Sequence, residues 1–386
     1  MHRATLTRVL FAEANVTELD ILTMVHTLAV RHHLTKVAVQ DILDLIKLCA
    51  KAPQENMLNT YYLDKQFKSS PVDYNYYCVK CKTLLVTRQT IPKHEMVVCP
   101  NTECCHRNTA GAKSEHFITT ENRDQLKTVI ENNSNLPTSP STNDDGSVCD
   151  VSSGSMYREL KRQCEFHFTY NFNIDGAPVF ASSKRSMWPI QMIINELPPI
   201  DRFRNTVLAG VWVGTHEPDV ALMSTIIEAF AKQTKRLFHD GVYVRDTLYK
   251  FVPLACVVDS VARPIIQNRL QYNGYYGCSW CYHPGRTVGR TVKYPIDMES
   301  DLRSKATHIE DLLGVQSNRY RRPIRGVKAP TTSLHLPHFD PVWSFPIEYH
   351  LKKFSVYHEI LVQRSGRQQS GKISYFIMRY HVCRVF

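Results

Sequence analysis

The run Phe166-His-Phe-Thr-Tyr-Asn-Phe-Asn-Ile-Asp175-Gly176 constrains the fold of this chain more than any other stretch. Its apolar residues Phe166, Phe168, Tyr170, Phe172 and Ile174 recur with period two, the pattern of a strand that buries one face. The run stops on a carboxylate followed by glycine. A second run, Phe251-Val-Pro-Leu-Ala-Cys-Val-Val-Asp259, ends on an acid in the same way 84 residues later (259 − 175 = 84). Either aspartate alone reads as an ordinary turn residue. Two buried strands that each deliver one suggest a shared metal site.

The elements between these runs narrow the architecture. Trp188–Leu197 and Thr206–Gly214 read as two further strands, punctuated by Pro198-Pro199 and Gly210. Asp219–His239 carries apolar residues at Val220, Met223, Ile226, Ile227, Phe230 and Leu237, the spacing of an amphipathic helix. The order is three strands, a helix and a fourth strand, with acids ending the first and fourth. It matches the ribonuclease H-like fold, where those two strands are parallel neighbours and their carboxylates emerge side by side. Carboxylates so placed can hold two Mg²⁺ (or Mn²⁺) ions about 4 Å apart for phosphodiester chemistry.

Cysteine spacing supplies a second constraint. Cys78-Val-Lys-Cys81 and Cys99-Pro-Asn-Thr-Glu-Cys104-Cys105 are separated by β-type residues, as in a zinc ribbon whose two knuckles each give two thiolates to Zn²⁺. The second knuckle has four intervening residues rather than two, so Cys105 or His106 is an alternative to Cys104. A later pair, Cys278 and Cys281, has Cys-x-x-Cys spacing as well. With twelve cysteines and no secretory h-region in Met1–Ala14, zinc is expected in preference to disulfides.

The 386 residues have room for two or three domains at about 150 residues each. No apolar run approaches the roughly 18 residues of a membrane span, so no membrane partner is expected. A net charge of +11 (47 Lys and Arg against 36 Asp and Glu) suits nucleic acid without requiring it.

These signals divide the chain. Residues 1–70 form an N-terminal helical region, with apolar stripes over Leu19, Leu22, Val25, Leu28, Val30 and over Val37, Val39, Ile42, Leu45, Ile46, Leu48, and a turn near His32–Thr35. A packing role fits it better than an active site. The zinc-ribbon-like module takes 71–118. Residues 119–156 read as a flexible linker, being polar and rich in Pro and Ser around Asn132–Gly146. The core with the two acids takes 157–265, an insertion bearing Cys278 and Cys281 begins over 266–350, and 351–386 is a basic tail. Arg319, Arg321, Arg322, Arg325 and Lys328 make a basic cluster suited to phosphate contacts, and Arg286, Arg290 and Lys293 precede it. An ordinary solvated loop has the same composition.

Asn173-Ile-Asp-Gly-Ala-Pro-Val-Phe-Ala-Ser-Ser-Lys-Arg-Ser-Met-Trp-Pro-Ile190, Asn195-Glu-Leu-Pro-Pro199, Val258-Asp-Ser-Val-Ala-Arg-Pro264 and Asn273-Gly-Tyr-Tyr-Gly-Cys-Ser-Trp-Cys281 together resemble transposase-domain proteins of animal genomes. These are related to the CACTA (En/Spm-like) cut-and-paste DNA transposases, and the resemblance spans roughly residues 20 to 350. It implies a nuclear protein with DNA as partner, in transposon ends and targets, and is compatible with a homo-oligomer. It makes Asp175 and Asp259 the first two acids of a DDE triad that binds the catalytic metals. It also implies that Cys278 and Cys281 join a later acid-x-x-His motif around zinc. The nearest match is Glu348-Tyr-His350, short by one residue, with His283 and His338 as other ligand candidates. The family places its third acid after a helical insertion. Here Glu359 is the one acid after Glu348, so the resemblance leaves the core incomplete toward the C-terminus and catalysis impaired. The other reading is a non-enzymatic, zinc-stabilised DNA- or protein-binding factor of transposase descent.

Overall fold

The computed structural model describes residues 9–11, 16–32, 34–50, 57–66, 71–133, 150–178, 185–295 and 299–346. The chain divides into two compact units, one built on the first 70 residues and the other spanning Pro71–Val356. Its class is mixed α+β, with nine helices among the described residues and one large, mostly antiparallel sheet. None of these helices is long and apolar enough to cross a membrane.

The first unit carries a two-stranded ribbon, β1 (Val9–Phe11) and β2 (Val16–Thr17), and three helices, α1 (Glu18–His32), α2 (Lys36–Cys49) and α3 (Thr60–Gln66). The helical hairpin turns where expected. Thr35 caps α2 by accepting from Ala38 N at 3.2 Å, which satisfies an end amide that the helix cannot. Leu22, Val25, Val39 and Leu43 form its core with Leu58 and Leu63. The expected stripes are only half buried, because Leu28, Val37, Leu45 and Leu48 face outward and Leu43 turns in.

The second unit begins with β3 (Val72–Tyr77), β4 (Leu84–Arg88), β5 (Glu95–Val98), β6 (Arg107–Ala110) and β7 (His116–Thr120), followed by α4 (Asn122–Asn132) and α5 (Ser155–Gln163). Next come β8 (Phe168–Ile174), the two-residue β9 (Ala177–Pro178), β10 (Ser186–Ile194), α6 (Pro199–Arg204), β11 (Val207–Gly214) and α7 (Val220–His239). The small hairpin β12 (Val242–Val244) and β13 (Thr247–Tyr249) leads into β14 (Phe251–Cys256) and α8 (Ala262–Ile266). A second hairpin, β15 (Arg286–Val288) and β16 (Thr291–Lys293), precedes α9 (Lys305–Ser317).

The large sheet runs β14-β8-β10-β11-β7-β3-β4, with β9 added to β10. Every pairing is antiparallel except β14 with β8, which is parallel. Alternation sorts the side chains of β8: Phe168, Tyr170, Phe172 and Ile174 join the main core, while Thr169, Asn171 and Asn173 face the other way. The core is covered by α7, whose Phe230 ring lies 4.9 Å from that of Phe172, and by Phe339, 5.8 Å from the same ring. On the opposite face of β14, Val252 and Leu254 pack under Tyr157 and Leu160 of α5. The outer edge of β14 is not left open, since Cys256 N donates to Ser344 O at 2.8 Å.

Two expectations about organisation change. The zinc-ribbon-like segment is not set apart from the core, because its strands β3, β4 and β7 continue the large sheet through β7–β11 pairing. Residues 119–156 are not a linker throughout, because 122–132 are helical. Leu126, Val129 and Ile130 of α4 enter the main core at helical spacing, a stripe masked by polar composition. The most polar part, 134–149, lies outside the described residues.

Candidate metal centres

The local turns of the first cysteine segment bring four thiols together. In the first knuckle, Lys82 adopts a left-handed φ of 64°, Cys78 N donates to Thr83 O at 2.8 Å and Lys82 N returns to Cys78 O at 2.9 Å. In the second, Cys104 N and Cys105 N both donate to Asn101 O at 2.9 Å, and Cys99 N donates to His106 O at 2.8 Å. The Sγ atoms of Cys78, Cys81, Cys99 and Cys104 all lie within 4.8 Å of one another. Cys78 to Cys104 is 3.8 Å and Cys81 to Cys99 is 3.5 Å, near the roughly 3.8 Å edge of a tetrahedron with 2.3 Å Zn–S bonds.

These four cysteines can hold a metal ion, and the all-thiol set is compatible with zinc. The choice among ligands resolves to Cys104, since Cys105 is exposed and its thiol turns toward Thr102 O and Asn101 O. Sequence reading missed Asn108, buried beneath the knuckle. It donates to Cys78 Sγ at 3.6 Å and accepts from Val79 N at 3.1 Å, so it orients a ligand from behind. The Thr83 hydroxyl beside Cys81 brings that thiol down to about 6, while burial pushes Cys99 up to about 12. Cys78 is lowered as well and Cys104 raised, and a bound metal's charge would favour the thiolate form of all four.

Cys278 and Cys281 are arranged differently. The backbone of their loop is held by buried guanidiniums: Arg269 Nη2 donates to Cys278 O at 3.1 Å, and Arg303 Nε to Cys278 O at 3.2 Å and Cys281 O at 2.9 Å. Arg303 also pairs with buried Asp311 at 3.3 Å and lies 4.1 Å over the Tyr282 ring, whose hydroxyl donates to Asp311 at 2.9 Å. Among the described residues no third Cys, His, Asp or Glu joins this pair at ligand spacing. His283 is committed to the backbone, with Nε2 on Pro295 O at 3.0 Å and Nδ1 accepting from Gly285 N at 2.9 Å. His338 packs against the Phe238 ring at 5.1 Å. Glu348 and His350 lie outside the described residues.

The two acids stand at the ends of parallel neighbours. Phe251, Val252 and Pro253 pair with Phe168, Thr169 and Tyr170 at an offset of 83, and past a bulge at Pro253–Ala255 the pairs Ala255–Asn171 and Cys256–Phe172 have an offset of 84 (255 − 171 and 256 − 172). That offset equals the separation of Asp175 and Asp259, which follow the ends of the two strands. Val257 N, donating to Phe172 O at 2.8 Å, carries the pairing past the strand end. Asp259 Oδ1 accepts from Val261 N at 2.8 Å and Ala262 N at 2.7 Å, leaving Oδ2 without a hydrogen bond among the described residues. Asp175 Oδ1 accepts from its neighbour Gly176 N at 2.8 Å. Glycine is required there by the Trp188 indole, which would lie 2.8 Å from an added Cβ. No third acid groups with Asp175 and Asp259 at ligand spacing among the described residues.

The basic cluster splits. Arg319, Arg321 and Arg322 are exposed around a surface cleft of about 490 Å³ shared with Ser317 and Asn318. Arg325 instead reaches Asp311 at 3.6 Å and covers Tyr282 at 5.2 Å, a role in packing that composition could not reveal. Lys328 is exposed, and its amide donates to Asn268 O at 3.0 Å.

No protein-family model matches the chain, and no curated protein matches it.

Proposed function

We propose that Pro71–Val356 is the core of a DDE-type, transposase-derived protein with a ribonuclease H-like sheet that acts on DNA, weakened in strand cleavage. The observation that carries this reading is the parallel β8–β14 pairing, which beyond its bulge at Pro253–Ala255 takes up the same 84-residue offset that separates Asp175 and Asp259. The antiparallel β8-β10-β11 meander beside it supports the same fold. Asp175 and Asp259 are hard oxygen donors, suited to Mg²⁺ or Mn²⁺ rather than to softer metals. When bound, two such ions supply activation of the attacking oxygen and stabilisation of the leaving oxygen. The chain's part is to fix the donors: the amides of Val261 and Ala262 hold Asp259 Oδ1, and the Gly176 amide holds Asp175.

Zn²⁺ at Cys78, Cys81, Cys99 and Cys104 stiffens the sheet, and Cys278 with Cys281 takes a second zinc. Buried Arg269 and Arg303 against Asp311 leave a positive excess that bound thiolates would offset. Arg319, Arg321 and Arg322 supply phosphate contacts that weaken as salt rises. A second reading, a non-enzymatic DNA-binding factor of the same descent located in the nucleus, is favoured by the absence of a third acid near Asp175 and Asp259 among the described residues.

The test is Mn²⁺ binding and DNA nicking by the purified chain. Binding that is lost in both Asp175→Ala and Asp259→Ala, with zinc content unchanged and nicking near background, is the expected result. Mn²⁺ affinity indifferent to both substitutions would remove the two-acid site, and strong nicking abolished by Asp175→Ala would remove the claim of impairment.

A further inference from the structure

One buried cation stands beside Asp259 without a carboxylate partner among the described residues. Arg263, on α8, is 8% exposed, yet it makes no ion pair among the described residues and its Nε has no partner. Its amide donates to Asp259 O at 3.1 Å, so its side chain springs from one turn beyond the acid. Burial pulls the guanidinium below its ordinary range, while Cys278, then Asp259, then Cys256 favour its charge. A carboxylate with a vacant Oδ2 is the natural partner for such a group, and a bidentate pair would recover the orphaned donor. That pair has not formed.

The guanidinium is held elsewhere. Its Cζ lies 4.3 Å from the centroid of the Trp280 ring, within the Cys278–Cys281 loop. Trp280 is itself fixed, since its Nε1 donates to Phe345 O at 3.2 Å. The neighbouring Ser279 hydroxyl donates to Gln267 Oε1 at 2.9 Å, and Gln267 Nε2 donates to Pro341 O at 3.0 Å. The loop is therefore bolted to α8, and its indole face offers Arg263 a cation–π seat.

We infer that Trp280 is a positioning residue that holds Arg263 off the Asp259 carboxylate and so keeps that carboxylate available to a divalent cation. Without the indole, the guanidinium closes on Oδ2 and competes with the ion. The cysteine loop thereby acts on an acid it does not touch, through one arginine. This inference rests on the two-acid reading for its metal consequence, but the arginine contact itself exists without any metal.

Two measurements on the full chain separate those parts. Mn²⁺ titrated into the protein should bind about tenfold or more weakly to Trp280→Ala, and Trp280→Ala combined with Arg263→Gln should regain most of that affinity. A merely structural tryptophan would give no such rescue. Urea unfolding in the absence of divalent metal supplies the second readout. Trp280→Ala should lower the midpoint less in the wild-type background than in Asp259→Asn, because only the wild type gains the new ion pair. That difference should vanish when Arg263 is Gln. Absence of coupling in the unfolding cycle overturns the inference, as does wild-type Mn²⁺ affinity in Trp280→Ala. Coupling in a chain that binds no Mn²⁺ would sustain the arginine clamp and overturn the two-acid reading instead.

Discussion

The two Cys-x-x-Cys loops share a motif and differ in everything that completes it. Cys78 and Cys81 meet Cys99 and Cys104 within a 26-residue excursion (104 − 78), and two tight turns suffice to close the set. Cys278 and Cys281 have no such partner within reach among the described residues, and buried arginines stabilise their backbone instead. A metal motif thus defines half a site. The other half depends on whether a second turn of the right shape lies nearby in sequence or must be delivered from far away. The first loop draws its order from local chemistry, the second from a charged core.

The largest effect should separate the loops outright. Cys99→Ser should abolish metal retention at the first site and unfold the edge of the sheet, given that structural zinc contributes roughly 10 kcal/mol or more at neutral pH. Cys278→Ser should leave that site loaded. Thermal unfolding, with metal content by mass spectrometry alongside, checks both, and an equal fall in the unfolding midpoint for the two variants would dissolve the contrast. Next, Asp311→Ala strands Arg303 in the interior and should cost about 3–5 kcal/mol in urea unfolding. The metal content of the first site should not move.

Acid should discriminate in the same direction. Burial, then the charge of Arg269, lowers His308 from 6.5 to about 4, and both its ring nitrogens are buried without partners. In that window the unfolded chain binds a proton that the folded chain refuses. Stability from His308 is complete above pH 6.5 and is lost as pH falls toward 4, by up to about 3 kcal/mol. His308→Leu should flatten this slope in unfolding curves taken between pH 4 and 7. The smallest effect belongs to Asn108→Ala, which should lower zinc affinity of the first site about 10-fold in a chelator competition while stability falls by about 1 kcal/mol.

What could be read from the residues followed their range of action. The β8 alternation, the α7 stripe and the thiol spacing are local patterns, and the structure has a strand, a helix and a cysteine cluster there. The parallel β8–β14 pairing was reachable only through the order of elements, three strands, a helix and a fourth strand, and the bulge at Pro253–Ala255 had no signal in the residues. Nothing local announced that β7 pairs with β11, since Phe117 and Ile118 suit any half-buried strand. The α4 helix was hidden by its polar surface, although Leu126, Val129 and Ile130 carried the signal. Arg325 and His283 were misleading because a side chain's type does not disclose a partner such as Asp311 or Pro295 that folding supplies.

The continuity of the sheet across β7 and β11 has a consequence for how this protein can be divided. Residues 71–133 and 150–346 are joined by the Thr119–Gly210 to Phe117–Trp212 ladder, by Trp212 Nε1 on the Tyr77 hydroxyl at 3.0 Å, and by Thr225 Oγ1 on Lys82 O at 2.7 Å. The cysteine hairpin and the two-acid strands are therefore complementing fragments of one fold. A polypeptide severed anywhere within 134–149 should reassemble from its two pieces when they are co-expressed, and neither piece should be soluble alone.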